Sequence, residues 1–175
     1  GERHVRVATT LGNLAKLYQA QQRYDDAELL FLQAIDIEKE QLGERHPYVA
    51  EDMSFLGNIY RSQGRFAEAE SLLRQAIDIR QEHFGVQHPS IATNLNDLGM
   101  VYSDQSQYEE AEPLLQRALD IYRQHEEQHL HISTALNNLG GVYYRQGRFD
   151  EAEGFLLEAL DIRREQLGND HIDVA

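Results

Sequence analysis

The chain contains no cysteine and no tryptophan, and only three prolines and two methionines among its 175 residues. Without cysteine it has neither a disulfide framework nor a thiol nucleophile. No apolar run approaches the roughly 18 residues of a membrane span, and no signal peptide opens the sequence. Positive charge is also scarce: 16 Lys and Arg stand against 30 Asp and Glu, a net charge of −14. Such a surface repels phosphate backbones and anionic headgroups, so neither nucleic acid nor membrane is expected as a partner. A cytoplasmic location is the corresponding expectation. The first residue is Gly rather than Met, which suggests a piece excised from a longer parent.

Carboxylates, by contrast, are abundant and patterned. RQGRFDEAE (145–153) has near-copies in AQQRYDDAE (20–28), in RSQGRFAEAE (61–70) and in DQSQYEEAE (104–112). A catalytic centre is normally built once, so four copies call for a structural explanation. The aspartates of the AIDI or ALDI motif, Asp36, Asp78, Asp120 and Asp161, are spaced by 42, 42 and 41 residues. Tyr18, Tyr60, Tyr102 and Tyr143 keep the same spacing. A fixed period of this size marks a solenoid of supersecondary units.

Each unit carries two helical patterns. Leu11, Leu14, Ala15 and Tyr18 fall at i, i+3, i+4 and i+7 on one helix face. After a polar break at 20–23, Tyr24, Ala27, Phe31 and Ala34 form a second face. Its counterparts are Phe66, Ala69, Leu73 and Ala76; Tyr108, Ala111, Leu115 and Ala118; and Phe149, Ala152, Leu156 and Ala159. Small residues let helix backbones approach, and large ones fill the space between. Gly57, Gly99 and Gly140 take the place of Ala15 and are read as close-packing positions. RQGRFDEAE is then the turn between helix A and helix B. Its Gly supplies a positive φ, and its acids sit in the first turn of helix B, where the helix dipole favours negative charge. The competing reading, a metal site, needs ligands that converge on one point.

The pattern Leu14-Ala15-x-x-Tyr18…Ala27…Phe31…Ala34 resembles the tetratricopeptide repeat. The 42-residue variety, joined by LG-x-x-HP-x-x-A, is similar to the repeats of kinesin light chains and of many bacterial interaction proteins. GERHPYVA (43–50) and GVQHPSIA (85–92) carry the joint, and LNNLGGVYYRQGRFDEAE (136–153) the heart of the unit. The resemblance implies an all-α, right-handed α-solenoid of four helix-turn-helix repeats. A HEAT or armadillo array has a similar period but does not account for the recurring small-residue and Tyr spacing. The whole chain, 1–175, reads as a single solenoid, with repeats at about 1–42, 43–84, 85–126 and 127–167 and the start of a fifth at 168–175.

Several departures stand out. The third joint, IYRQHEEQH (121–129), lacks the Gly, the apolar residue before it and the Pro after it, so a looser junction is expected there. Pro113 sits early in the third helix B, where losing one backbone donor costs less than in a helix interior. His4, His46, His88, His129 and His171 recur at the joints. Units stacked at roughly 8–10 Å per helix layer keep them apart, so each is read as starting helix A beside Pro47 or Pro89 rather than as part of a metal ladder. No metal and no cofactor are expected.

No nucleophile elbow and no phosphate-binding Gly loop occur, so no catalytic residues are assigned and an enzyme is not expected. The tetratricopeptide resemblance implies a concave face lined by helix A residues that avoid the core. Phasing from Leu14, Leu56, Leu98 and Leu139 puts Asn13, Lys16, Asn58, Arg61, Asn96, Met100, Asn137, Asn138, Tyr144 and Arg145 on it as candidate peptide-binding residues. Thr9, Glu51, Ser54, Phe55, Asp97 and Ser103 share that face. A row of Asn can pair with any peptide backbone, because the amide both donates and accepts. Gly12 and Phe55 stand at places where the family's carboxylate clamp has polar residues, so that ligand is not carried over. Basic residues are too few for an acidic cargo, and a neutral or mildly basic segment fits better. The resulting expectation is a protein-interaction scaffold that captures a peptide or helix. The alternative is a structural spacer, or a segment that associates end to end through uncapped repeat ends.

Overall fold

The computed structural model describes residues 2–125 and 129–167. Among them it is all-α: α1 (Glu2–Ala20), α2 (Tyr24–Leu42), α3 (Pro47–Ser62), α4 (Phe66–Phe84), α5 (Pro89–Asp104), α6 (Tyr108–Arg123), α7 (His129–Arg145) and α8 (Phe149–Leu167). Each odd-numbered helix pairs with the next as a helix A–helix B hairpin. The chain divides into two compact units, 1–86 and 87–175, with two hairpins in each. In the first unit α2 also packs on α3, and in the second α6 packs on α7.

Turns between helices A and B repeat one geometry. The Tyr18, Tyr60, Tyr102 and Tyr143 carbonyls each accept from the amide five residues on, at 2.9, 2.8, 2.9 and 2.9 Å. Closing that ring needs one left-handed residue. Gly64 (φ 75°) and Gly147 (φ 76°) supply it in the second and fourth hairpins, as read from the sequence. Gln22 (φ 58°) and Ser106 (φ 61°) occupy the same place in the other two, against the steric preference of a Cβ-bearing residue.

Joints between hairpins are capped by histidine. His46 and His88 have extended backbone, and the Nδ1 of each accepts from the amide two residues on, Tyr48 and Ser90, at 3.2 Å. Pro47 and Pro89 follow at the first helical position, where the missing N–H is not needed. Among the described residues, the helix-start reading holds at these two sites. His4 lies inside α1, which already begins at Glu2, and His129 is itself the first residue of α7 with Leu130 rather than Pro behind it. His171 lies outside the described residues. Two histidines with no part in the sequence reading tie the joints from the far side: the Nε2 of His83 lies 2.7 Å from the Arg45 carbonyl, and that of His125 lies 3.1 Å from the Gln87 carbonyl.

The third joint departs from the others where described. α6 stops at Arg123 after 16 residues, whereas α2, α4 and α8 each run for 19. Residues 126–128, on which the looser junction was expected, lie outside the described residues, as does 168–175. Pro113 is the sixth residue of a continuous α6, where it has no N–H to offer the Glu109 carbonyl.

The interior is built on the small-residue positions. Ala15, Ala27, Phe31 and Ala34 are fully buried in the first hairpin, as are Ala69, Leu73 and Ala76 in the second and Ala111, Leu115 and Ala118 in the third. A Cβ added at Gly57 would lie 3.0 Å from Leu73 Cγ, one at Gly99 2.8 Å from Leu115 Cγ, and one at Gly140 2.7 Å from Leu156 Cγ. The A and B helices therefore meet backbone against side chain. Leu14 departs from the expected core face. It is 36 % exposed, whereas Leu56, with α2 in front of it, is 1 % exposed.

Two stability results are expected. Gly99→Ala meets the fully buried Leu115 and should destabilise by about 1–2 kcal/mol despite its better helix propensity. Gly140→Ala meets Leu156, which is 39 % exposed and free to swing, so it should be near neutral in the same urea titration. Gln22→Gly and Ser106→Gly should each stabilise by about 0.5–1 kcal/mol, and Gly64→Ala should do the reverse; thermal or urea unfolding measures all three.

Candidate functional site

The helix A face carries the predicted groove residues, and each unit presents its own set. In the second unit α5 and α7 bring several together. The Asn138 amide donates to the Asn96 side-chain oxygen at 2.9 Å, which ties successive A helices across the face. Two turns further along, the Arg145 guanidinium donates to Ser103 Oγ at 2.7 Å. Asn137 and Tyr144 are exposed, and the Tyr144 ring packs edge-on against Phe149 at 5.6 Å. Met100, one turn beyond Asn96 on α5, is half-buried. Ser103 and Ser54, placed on the groove by helical phase, are instead buried at 2 % and 7 % exposure; Ser54 Oγ turns back to the Ala50 carbonyl at 2.6 Å.

In the first unit the face has a different character. Asn13 is exposed, while Asn58 and Arg61 are half-buried. Lys16 Nζ bonds Glu51 at 2.8 Å and lies 4.3 Å from the centre of the Phe55 ring. Beneath this pair sit two acids absent from the sequence-based site: Glu38 of α2, 3 % exposed, and Asp52 of α3, 6 % exposed. Gly12 makes the room, since a Cβ there would stand 3.2 Å from both Asp52 carboxylate oxygens. A pocket of about 170 Å³ opens above them, lined by Thr9, Gly12, Asn13, Lys16, Glu38, Tyr48, Glu51 and Asp52. Burial pushes the Glu38 carboxyl up to about 7, and the charges of Asp52 and Glu51 push it the same way, against Lys16. Burial likewise raises Asp52 to about 7, with Lys16 opposing and Glu51 assisting.

A signal for these acids was present in the sequence. Asp52 falls between Val49 and Leu56 at a core phase, and its counterpart in the next repeat, Asn94, is fully buried as well. Glu38 follows the AIDI motif at a place filled by Arg80, Tyr122 and Arg163 in the other repeats, so the floor of this face varies while the motif around it does not. Tyr122 there bonds Thr93 Oγ1 at 2.9 Å and stacks on His131.

The repeated acidic turns that first suggested a metal site are instead bound to arginine. Arg23, Arg65 and Arg148 pair with Asp26, Glu68 and Glu151 three residues on, and each guanidinium lies over the tyrosine in the last turn of helix A. Arg65 also reaches back to Glu28 (2.7 Å) and Arg148 to Glu112 (2.8 Å) in the preceding hairpin. Tyr60 and Tyr143 donate to those same glutamates at 3.0 and 2.7 Å. Hydrogen bonds from Arg65 and Arg148 hold Glu68 and Glu151 below the usual carboxylate range.

Comparison with known proteins decides the family. A tetratricopeptide repeat model matches residues 6–82 and 56–124, and a second one matches 132–173. The chain belongs to the tetratricopeptide repeat family. No curated protein matches the sequence. Among solved structures, BtubC (BKLC) from P. vanneervenii superposes with a TM-score of 0.83 at 30 % identity, over 92 % of this chain and 65 % of that one. This chain therefore spans less than two thirds of that structure's length. The kinesin light chain TPR-like repeats of Podosopora anserina give 0.80 at 24 % identity, over 99 % of this chain and 82 % of theirs. MamA gives 0.65 at 19 %, over 91 % and 80 %. The last two similarities speak to the fold alone. In fold the repeats are similar to the kinesin-light-chain ones, and the all-α helix-turn-helix solenoid class read from the sequence is the one these structures share.

The buried acid pair sets a pH dependence. Both carboxyls sit above their ordinary values, so between about pH 4 and 7 the folded chain holds more protons than the unfolded one. Stability therefore falls as pH rises across that range and levels off above it. Urea unfolding at pH 5 and pH 8 should differ by on the order of 2–3 kcal/mol in this direction, and Glu38→Gln with Asp52→Asn should remove most of the difference by raising the pH 8 value.

Proposed function

We propose that this chain is a non-catalytic protein-interaction scaffold that holds a peptide or helix along its helix A face. Tetratricopeptide repeats as a family act as scaffolds between proteins, and the face itself supports the finer reading. The observation that carries it is the amide pair of Asn96 and Asn138. One hydrogen bond consumes one donor of Asn138 and one acceptor site of Asn96. An amide group has two donors and two acceptor sites, so a fixed ladder of them still has capacity for the backbone of an extended partner. Asn137 and Tyr144 extend the same face with an exposed amide and an exposed ring. No helix among the described residues is long and apolar enough to cross a membrane.

A second reading, end-to-end assembly, has its own observation. Leu14, Leu17, Leu29 and Leu32 are exposed on the first hairpin, and Tyr144, Phe149, Leu156 and Leu157 on the last. Flat apolar faces of this kind pair head to tail in repeat stacks.

One experiment separates the two. Capture from lysate of the source organism should return partners with the wild type that drop at least tenfold with Asn96→Ala and Asn137→Ala combined. A double mutant that retains every partner rejects the groove. Absence of partners for both proteins, with a mass that rises with concentration in light scattering, supports assembly instead.

A further inference from the structure

The acid pocket of the first unit has no role in a backbone-reading ladder. It is nevertheless a built site. Glu38 is 3 % exposed, and its Oε2 accepts no hydrogen bond from any group among the described residues. A buried carboxylate oxygen with no donor is costly, and natural interiors rarely keep one. Glu38 lines a pocket of about 170 Å³, together with Asp52, Glu51, Thr9, Asn13 and Tyr48. Gly12, where later repeats have Ser54, Asn96 and Asn137, keeps it open. The charged groups that face Glu38 are Asp52 and Glu51 of α3 and Lys16 of α1. Three carboxyls thus meet one ammonium, and Lys16 is already engaged by Glu51.

We propose that this pocket receives the guanidinium of an arginine side chain carried by the partner polypeptide. The size suits one planar cation with part of its methylene stem, and a carboxylate can hold a guanidinium through two parallel hydrogen bonds. The carboxylates do not form a metal cage: no group of three or more His, Asp or Glu able to hold a metal is found among the described residues. Asn13 and Lys16, on the rim, belong to the helix A face, so an arginine in the pocket would leave its backbone along the proposed peptide track. The inference deepens the groove reading and rests on it. It gives that reading a chemical preference: a partner with a basic residue at the position that crosses the first two hairpins.

Binding would ionise both acids, so protons leave as the cation enters. Affinity should therefore rise from pH 6 to pH 8, unlike an ordinary surface ion pair, which is insensitive to pH in that range.

The test uses the capped tripeptide acetyl-Gly-Arg-Gly-amide, its citrulline counterpart and spermidine, each titrated into 15N-labelled protein. The arginine peptide should shift the amides of Gly12, Asn13, Glu38 and Asp52 saturably, at least tenfold more tightly at pH 8 than at pH 6. Citrulline, the same shape without charge, should not shift them. Glu38→Gln with Asp52→Asn, which should be at least as stable as the wild type, should abolish the shifts. Lys16→Met, which removes the opposing ammonium, should tighten binding several-fold. Equal shifts from citrulline, undiminished binding by the double variant, or no saturable shift at these amides would overturn the pocket. Tighter binding of spermidine than of the peptide would overturn the polypeptide source. The capture experiment with Asn96 and Asn137 reads the other unit, so a failed titration beside a successful capture rejects the pocket alone. Failure of both rejects the groove with it.

Discussion

The structure depends on how closely helix A can approach helix B. Position 15 of the first hairpin and its equivalents at 57, 99 and 140 hold Ala or Gly, and each faces a large side chain sixteen residues later: Phe31, Leu73, Leu115 or Leu156. The 3.0 Å or less between a hypothetical Cβ and those leucines shows that nothing larger fits without movement. The hairpin is therefore set by steric exclusion as much as by attraction. With both helices of a hairpin amphipathic on more than one side, the remaining apolar surface must be covered by another hairpin, and the contrast between Leu14 and Leu56 shows the effect of that cover.

Fold and site differ in how they are written into the chain. The helices were legible because period, small residues and turn signals all recur, and four copies average out any local exception. Ala20 ends α1 and Tyr24 opens α2 at the limits set by the polar break. Where the reading failed, a single copy carried the feature. Leu14 was placed on a core face by its spacing from Leu11, Ala15 and Tyr18, yet it is exposed where Leu56, Leu98 and Leu139 are buried. Ser54 and Ser103 were placed on the groove by phase, yet a small hydroxyl that can bond its own helix backbone tolerates burial, and phase alone does not register that.

The acid pair was missed for the opposite reason. Glu38 and Asp52 differ from their equivalents, so a search for recurrence passes over them. Function in repeat proteins concentrates at such positions. A shared scaffold frees the variable places to take any side chain, and the place after the AIDI or ALDI motif holds Glu38, Arg80, Tyr122 and Arg163 in turn. The Asn96–Asn138 pair lies between these extremes: the residue type was visible, but the bond between successive A helices needed coordinates.

The arginine of each helix A–helix B turn has a further consequence. Arg65 and Arg148 each span two hairpins, holding the acid of their own helix B and the glutamate of the one before. The third repeat has Gln107 at this place and offers no such cation. The repeats are thus not interchangeable beads. Transplanting the third into second position would strand Glu28 without its guanidinium, so the order of the modules is recorded in the clasps between them, independently of whatever the array holds.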